Sequence, residues 1–200
     1  MRWDNLFNDL ESQLERELSA EELDVSAEEE RLRLGRLGVR DRLVAIHADA
    51  ASRTDYSLKL ILLSGERMTV RPATFGRDWF SADVIGESSR VSTCIVALAG
   101  IAGISFEPTD VAASLRPSGT IDGHPSLSER LGLPFVLRDL CRRRKSVEVV
   151  LAASTVRGTI DRVGRDHIDV AVHESGTARR GSAVSEVRLV PLAAVLAVRL

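Results

Sequence analysis

The sequence predicts a mainly β fold with helices, of α+β class: two tandem five-stranded small β-barrels, each led by a short helix, behind an acidic amphipathic helical segment. Three observations predict it. The hydrophobic pattern passes twice from helical spacing to strand alternation. The stretch TFGRDWFSADV at residues 74–84 returns as RVGRDHIDVAV at residues 162–172, 88 positions later. Between the copies lies EPTDVAASLRPSGTIDGHPS, rich in Pro, Gly and Ser, which reads as a linker. The division that follows is a helical segment over 1–38, a first barrel over 39–106, a linker over 107–133 and a second barrel over 134–200.

Composition bounds the classes open to the chain. Apolar residues make up 44% of 200, enough for a packed core. The weakly polar stretch around Cys94–Ile104 is too short for a membrane span and carries two glycines. The first residues lack the apolar block of a secretory signal. Two cysteines, Cys94 and Cys141, have no metal-ligand spacing, and together these features point to a reducing cytoplasm. Residues 1–30 hold 11 acidic and 2 basic side chains, whereas the rest hold 18 and 25. That polarity fits a solvated helix attached to an ordinary domain.

The leading segment places Trp3, Leu6, Phe7, Leu10 and Leu14 on one helical face, with Asp4, Asp9, Glu11 and Glu15 toward water. Such a stripe needs a partner surface, on its own chain or on a second copy, because a lone helix is marginal in water. Ser19–Glu22 and Ser26–Glu29 both have capping-box spacing, which predicts helix starts.

The first barrel opens with a helix over VRDRLVAIHADA. Leu58, Leu60 and Leu62 then alternate with Lys59 and Ile61; Ser64-Gly65 turns the chain, and Met68 and Val70 continue. Gly76-Arg77-Asp78 is the next turn, and Phe80, Ala82 and Val84 share one face of a third strand. VSTCIVALAGIAGIS supplies the last two strands, with a kink at Leu98-Ala99-Gly100. The second barrel repeats the order: helix LPFVLRDLCRRR, strands SVEVVLAA and VRGTIDRV, turn Gly164-Arg165-Asp166, then HIDVAVH, EVRLV and AVLAVRL. Val96–Ile101 falls on Val190–Val195 at an offset of 94, so six extra residues fit the polar loop around Arg179. Insertions confined to loops are what a duplication predicts.

A helix followed by five strands, with the short kink before the fifth, resembles the Sm-like family of SH3-like small barrels. The likeness covers Val39–Ser105 and Pro134–Leu200, with VEVVLAASTVRGTIDRVGRDHIDVAVHE at the first motif and VRLVPLAAVLAV at the second. Gly158 fits the place of a glycine that lets a strand bend. The whole arrangement also resembles bacterial proteins of similar length. The resemblance implies single-stranded RNA binding in a pocket built from two loops. Here Gly76-Arg-Asp-Trp-Phe80 and Gly164-Arg-Asp-His-Ile168 lack the family's asparagine, and no Phe, Trp or Tyr follows Phe135 for base stacking. The family's uridine pocket is not implied for this chain.

Candidate binding residues are Arg77, Trp79, Arg165 and His167 at the matching turns, and the basic cluster Arg138, Arg142, Arg143, Arg144 and Lys145. The cluster suits phosphates, and equally suits a helix C-terminus, where the dipole favours cations. His167, Asp169 and His173 share a strand face that would suit a metal or acid–base pair, yet no nucleophile is paired to them. There is no phosphate-binding Gly-rich loop. The expectation is a non-enzymatic cytoplasmic binding or regulatory module, without cofactor or metal, whose partner is a protein or RNA. A DNA-associated transcriptional regulator using residues 138–145 ranks second, and a small metal-dependent enzyme third. No membrane association is expected. Two routes lead to a homo-oligomer, through barrel edges or through the N-terminal helix.

Overall fold

A computed structural model describes residues 24–50, 53, 56–86, 92–117, 127–173 and 184–200. The chain forms two compact units, Met1–Gly38 and Val39–Leu200. In the first, residues 24–35 are helical, with Arg31 on Glu28 and Arg33 on Glu30 three positions apart. The helix is already under way at residue 24, so Ser26 lies inside it rather than starting it. A cap stabilises by only about 1 kcal/mol, and the Ala, Glu, Leu and Arg that follow are strong helix formers. The stripe Trp3, Leu6, Phe7, Leu10 and Leu14, and the Ser19–Glu22 box, lie outside the described residues.

The second unit begins with α1 (Val39–Asp49), which buries Leu43, Ala45 and Ile46. Then come β1 (Leu58–Leu62), β2 (Arg67–Phe75), β3 (Trp79–Ile85) and β4 (Ser92–Ala97). A single 3-10 turn, Leu98–Gly100, leads into β5 (Ile101–Ser105). The linker region carries α2 (Pro108–Ser114) and α3 (Leu127–Arg130), and α4 (Leu133–Arg142) follows. The second series is β6 (Ser146–Val150), β7 (Thr155–Val163), β8 (His167–Val172) and β9 (Glu186–Pro191). A 3-10 turn at Leu192–Ala194 and β10 (Ala197–Arg199) complete it. Both kinks foreseen from the sequence are thus 3-10 turns.

The architecture corrects the expectation of two closed five-stranded barrels. The ten strands among the described residues belong to one open antiparallel sheet in the order β5-β1-β2-β3-β4-β10-β6-β7-β8-β9. The α+β class holds, but the outer edge of β4 pairs with the fifth strand of the other repeat. Ala197 stands opposite Val96, Val198 opposite Ile95, and Arg199 opposite Cys94. Strand alternation dictates which side chains face inward, and is silent on which edge a strand offers to which neighbour. An edge presents backbone N–H and C=O groups for pairing, and the fifth strand of either repeat can take them up.

Within this sheet the duplication is detailed. Both five-strand halves run fifth, first, second, third, fourth. The second and third strands carry a bulge at matching places, between Pro72 and Thr74 and between Ile160 and Arg162. Gly65, at φ 82°, turns β1 into β2 in a conformation that side chains disfavour. Gly158 allows close approach: a Cβ there would stand 2.0 Å from the Ala171 carbonyl oxygen on the neighbouring strand.

Two apolar clusters fill the fold, and each borrows across the seam. One is built around Phe80, Leu58, Leu60, Val70 and Leu43, and takes in Val150, Leu196 and Ala197 from the second repeat. The other is built around Leu137, Val149, Ile160 and Val170, and takes in Trp79, Ile95 and Ala97 from the first. Phe80 is fully buried and stacks on Phe75 at 5.6 Å between ring centroids. Phe80→Ala is expected to cost about 3–5 kcal/mol in urea unfolding; a loss near zero would contradict this packing. Cys94 is also fully buried, and burial pushes its thiol up to about 11. It should resist a thiol reagent until the protein is unfolded, and rapid labelling of the native chain would contradict its placement.

Candidate partner interface

The two Gly-Arg-Asp turns are built alike. Gly76 N–H donates to the Trp79 carbonyl at 2.8 Å, and Gly164 N–H to the His167 carbonyl at 2.8 Å. Each turn then receives the chain's own 3-10 turn: Leu98 N–H donates to Asp78 O at 3.0 Å, and Leu192 N–H to Asp166 O at 2.8 Å. Glycine is required because the following ring folds over it. A Cβ would lie 2.1 Å from the Trp79 indole in one turn and 2.5 Å from the His167 imidazole in the other.

Their surroundings differ. The first turn grips the start of α4 in the second repeat. The Asp78 carboxylate accepts the Leu133 N–H at 2.7 Å, although the residue at the helix cap, Gly132, offers no side chain. Arg77 N–H and the Trp79 indole N–H both donate to the Leu131 carbonyl at 3.0 Å. Gly132 leaves room for this, since a Cβ there would stand 2.7 Å from the Arg77 guanidinium. Trp79 is therefore buried against Leu133, Leu137, Ile95 and Val198. The first turn meets the chain itself, while the Arg77 guanidinium stays exposed. At the second turn Arg165 is exposed and His167 half-exposed, its Nδ1 2.8 Å from an Asp166 oxygen. That ring holds the Asp166 carboxyl below the usual carboxylate range.

The basic cluster has carboxylates among it. Arg142 and Arg143 both bind Asp139, at 2.8 and 2.7 Å, and Arg144 binds Asp161 at 2.9 Å. The bonded Arg142 holds the Asp139 carboxyl below its ordinary value. Arg138 donates to the Gly164 carbonyl at 3.4 Å, and Lys145 is exposed. Arg144 adopts φ 52°, ending α4. The cluster thus sits at a helix terminus, where cations are favoured.

The strand face at His167, Asp169 and His173 does not converge. His173 is buried, with its Nε2 2.8 Å from the Thr159 hydroxyl, while His167 turns to Asp166. Among the described residues no group of three or more His, Cys, Asp or Glu could hold a metal. Both cysteines are free, and no described helix is long and apolar enough to cross a membrane.

Residues that the sequence reading passed over line an apolar groove in the second unit. Val39 and Arg42 of α1 face Leu98, Ile101, Ile104 and Phe106 across a groove of about 240 Å³. It runs beside β5, which is an edge strand. Arg42 roofs one end, 5.4 Å from the Phe106 ring centroid and bonded to the Ser114 hydroxyl. One sequence signal pointed here: Arg36-Leu37-Gly38-Val39 is echoed by Arg130-Leu131-Gly132-Leu133, 94 positions later. That echo makes Val39 the counterpart of Leu133.

Asp78→Ala removes the only side-chain acceptor shown for the start of α4 among the described residues, and should cost about 1 kcal/mol of stability. Asp166→Ala, at the open turn, should change stability by less than about 0.5 kcal/mol. Equal losses in thermal unfolding would contradict the different surroundings of the two turns. Comparison with protein-family models, with curated proteins and with solved structures gave no match.

Proposed function

We propose that the chain is a non-enzymatic, cytoplasmic protein-binding module that takes up an extended polypeptide strand at its β5 edge. The observation that carries this reading is the coincidence of an edge strand with an apolar groove. β5 has a single neighbour, β1, so the backbone groups on its other side are available for pairing. Beside them, Val39, Ile101, Ile104 and Phe106 offer seats for alternate side chains of an added strand. Main-chain bonds supply affinity in such a mode and the seats supply selectivity. The free thiols of Cys94 and Cys141 support a reducing compartment. Protein is preferred to nucleic acid as partner because Arg142, Arg143 and Arg144 already bind carboxylates.

A labelled, acetylated heptapeptide alternating Val and Thr serves as the probe. Fluorescence anisotropy should show saturable binding with Kd on the order of 10⁻⁴ M, weakened at least tenfold by Val39→Asp. Val39 is exposed at a helix start, where Asp suits the dipole, so the variant should fold. No binding, or equal binding by both proteins, would overturn the reading. Single-stranded RNA titrated at two salt concentrations is the second arm. Salt-dependent RNA binding by a protein that ignores the peptide would replace protein with RNA as the partner.

A further inference from the structure

The seam inside the chain has two different sides. The turn side belongs to the first repeat: Asp78 and Trp79 on the turn, and Ile95 on β4. The helix side belongs to the second repeat: Leu133 at the start of α4, and Val198 on β10. These residues bury one another, leaving Leu133 6% exposed and Ile95 4%.

Duplication gives each side a counterpart. Asp78 and Trp79 correspond to Asp166 and His167, 88 positions on, and Ile95 corresponds to Leu189, 94 positions on. Leu133 and Val198 correspond to Val39 and Ile104, each 94 positions back. The counterpart turn, with Leu189 on β9, lies at one end of the sheet, and the counterpart helix start, with Ile104 on β5, lies at the other. Their apolar members stand open, with Leu189 62% exposed and Val39 55%. Val187, on the same face as Leu189, is exposed as well.

We propose that the β9 edge of one copy docks head to tail on the β5 edge of a second copy, in the register that β4 uses on β10. This deepens the strand-uptake reading and rests on it, naming a second copy of this chain as the strand's source. The seam sets the register: Val190 opposite Gly103, Leu189 opposite Ile104, and Arg188 opposite Ser105. Leu189 then enters the groove between α1 and β5, and Val39 covers it as Leu133 covers Ile95. Asp166 reaches the first turn of α1, whose leading N–H groups have no acceptor within the helix, as Asp78 reaches Leu133. One element differs. Pro191 stands where Ala97 stands in the seam, and has no N–H to match the Ala97 bond to the Leu196 carbonyl. The joint between copies therefore has one hydrogen bond fewer than the seam, and, being a contact between chains, it depends on concentration. The two surfaces are different patches, so the contact is heterologous and propagates to a ring or a filament.

The test is the molar mass of the full chain by light scattering over a roughly hundredfold range of concentration. Wild type should rise above the monomer, to a plateau for a ring or without one for a filament. Leu189→Asp and Val39→Asp, both at exposed positions, should each be monomeric alone. Mixed in equal amounts they should form a complex of two chains, because each retains the face the other lacks. A mixture that stays monomeric, or either variant self-associating like wild type, would overturn the proposal. A monomeric wild type that still binds the heptapeptide sinks self-pairing and leaves the strand-uptake reading standing. A monomer that also ignores the peptide sinks both.

Discussion

Backbone pairing between β4 and β10 is the constraint on which the rest of this structure depends. It joins two five-strand halves into one sheet and decides what each apolar cluster contains. Ala97 N–H donates to the Leu196 carbonyl at 3.0 Å and Leu200 N–H to the Thr93 carbonyl at 2.9 Å, so both repeats lend groups to the same ladder. Arg199 reinforces it, leaving β10 to reach Glu66 on the first repeat while staying 3.9 Å from Glu148 on the second. Close approach is also built in at Gly100, where a Cβ would lie 2.6 Å from the Leu196 Cα. Without this pairing Ile95, Trp79 and Val198 would lose their cover, and α4 would lose the Asp78 carboxylate at its start.

A duplicated chain that pairs with itself once is left with an unequal pair of repeats. The first repeat spends its fourth strand on the second, and the second spends its fifth strand on the first. What remains is the fifth strand of the first repeat and the fourth strand of the second, at opposite ends. Exposed apolar side chains on an edge are a hazard that proteins ordinarily blunt. Here Pro191, Glu186 and Arg188 on β9 do some of that blunting, while Val187 and Leu189 between them stay open. The groove along β5 has the converse character, an apolar trough beside an edge whose strand is short. This asymmetry supports an assembly or binding role more directly than any side-chain chemistry on the described surface.

Much of the local structure could be read from the residues. The alternation of Leu58, Leu60 and Leu62, the Gly-Arg-Asp turns and the kinks before the fifth strands are short-range features, and local rules govern them. The partnership of strand edges is long-range. Leu189 and Ile95 occupy the same place in their repeats and read alike as sequence, yet one is buried and the other open, because only one has met a fifth strand. Closure into two barrels was the wrong inference for that reason. The candidate site was legible in part. Trp79 and Arg77 stood out as a repeated motif, but their partner Leu131 lies 52 positions from Trp79 and no local pattern announces it. The basic residues at 142–145 were visible as a cluster, whereas Asp139 and Asp161, which bind three of them, become neighbours only through the helix and the fold.

The most direct measurement of the central claim is native-state amide hydrogen exchange at Ala97 and Leu200, two of the amides that bridge the repeats. If one sheet unites the halves, both should exchange as slowly as interior amides such as that of Val170, opening only with global unfolding. Exchange at the rate of an open edge, with Val170 still protected, would mean that the halves stand apart and that the seam is not what holds this fold.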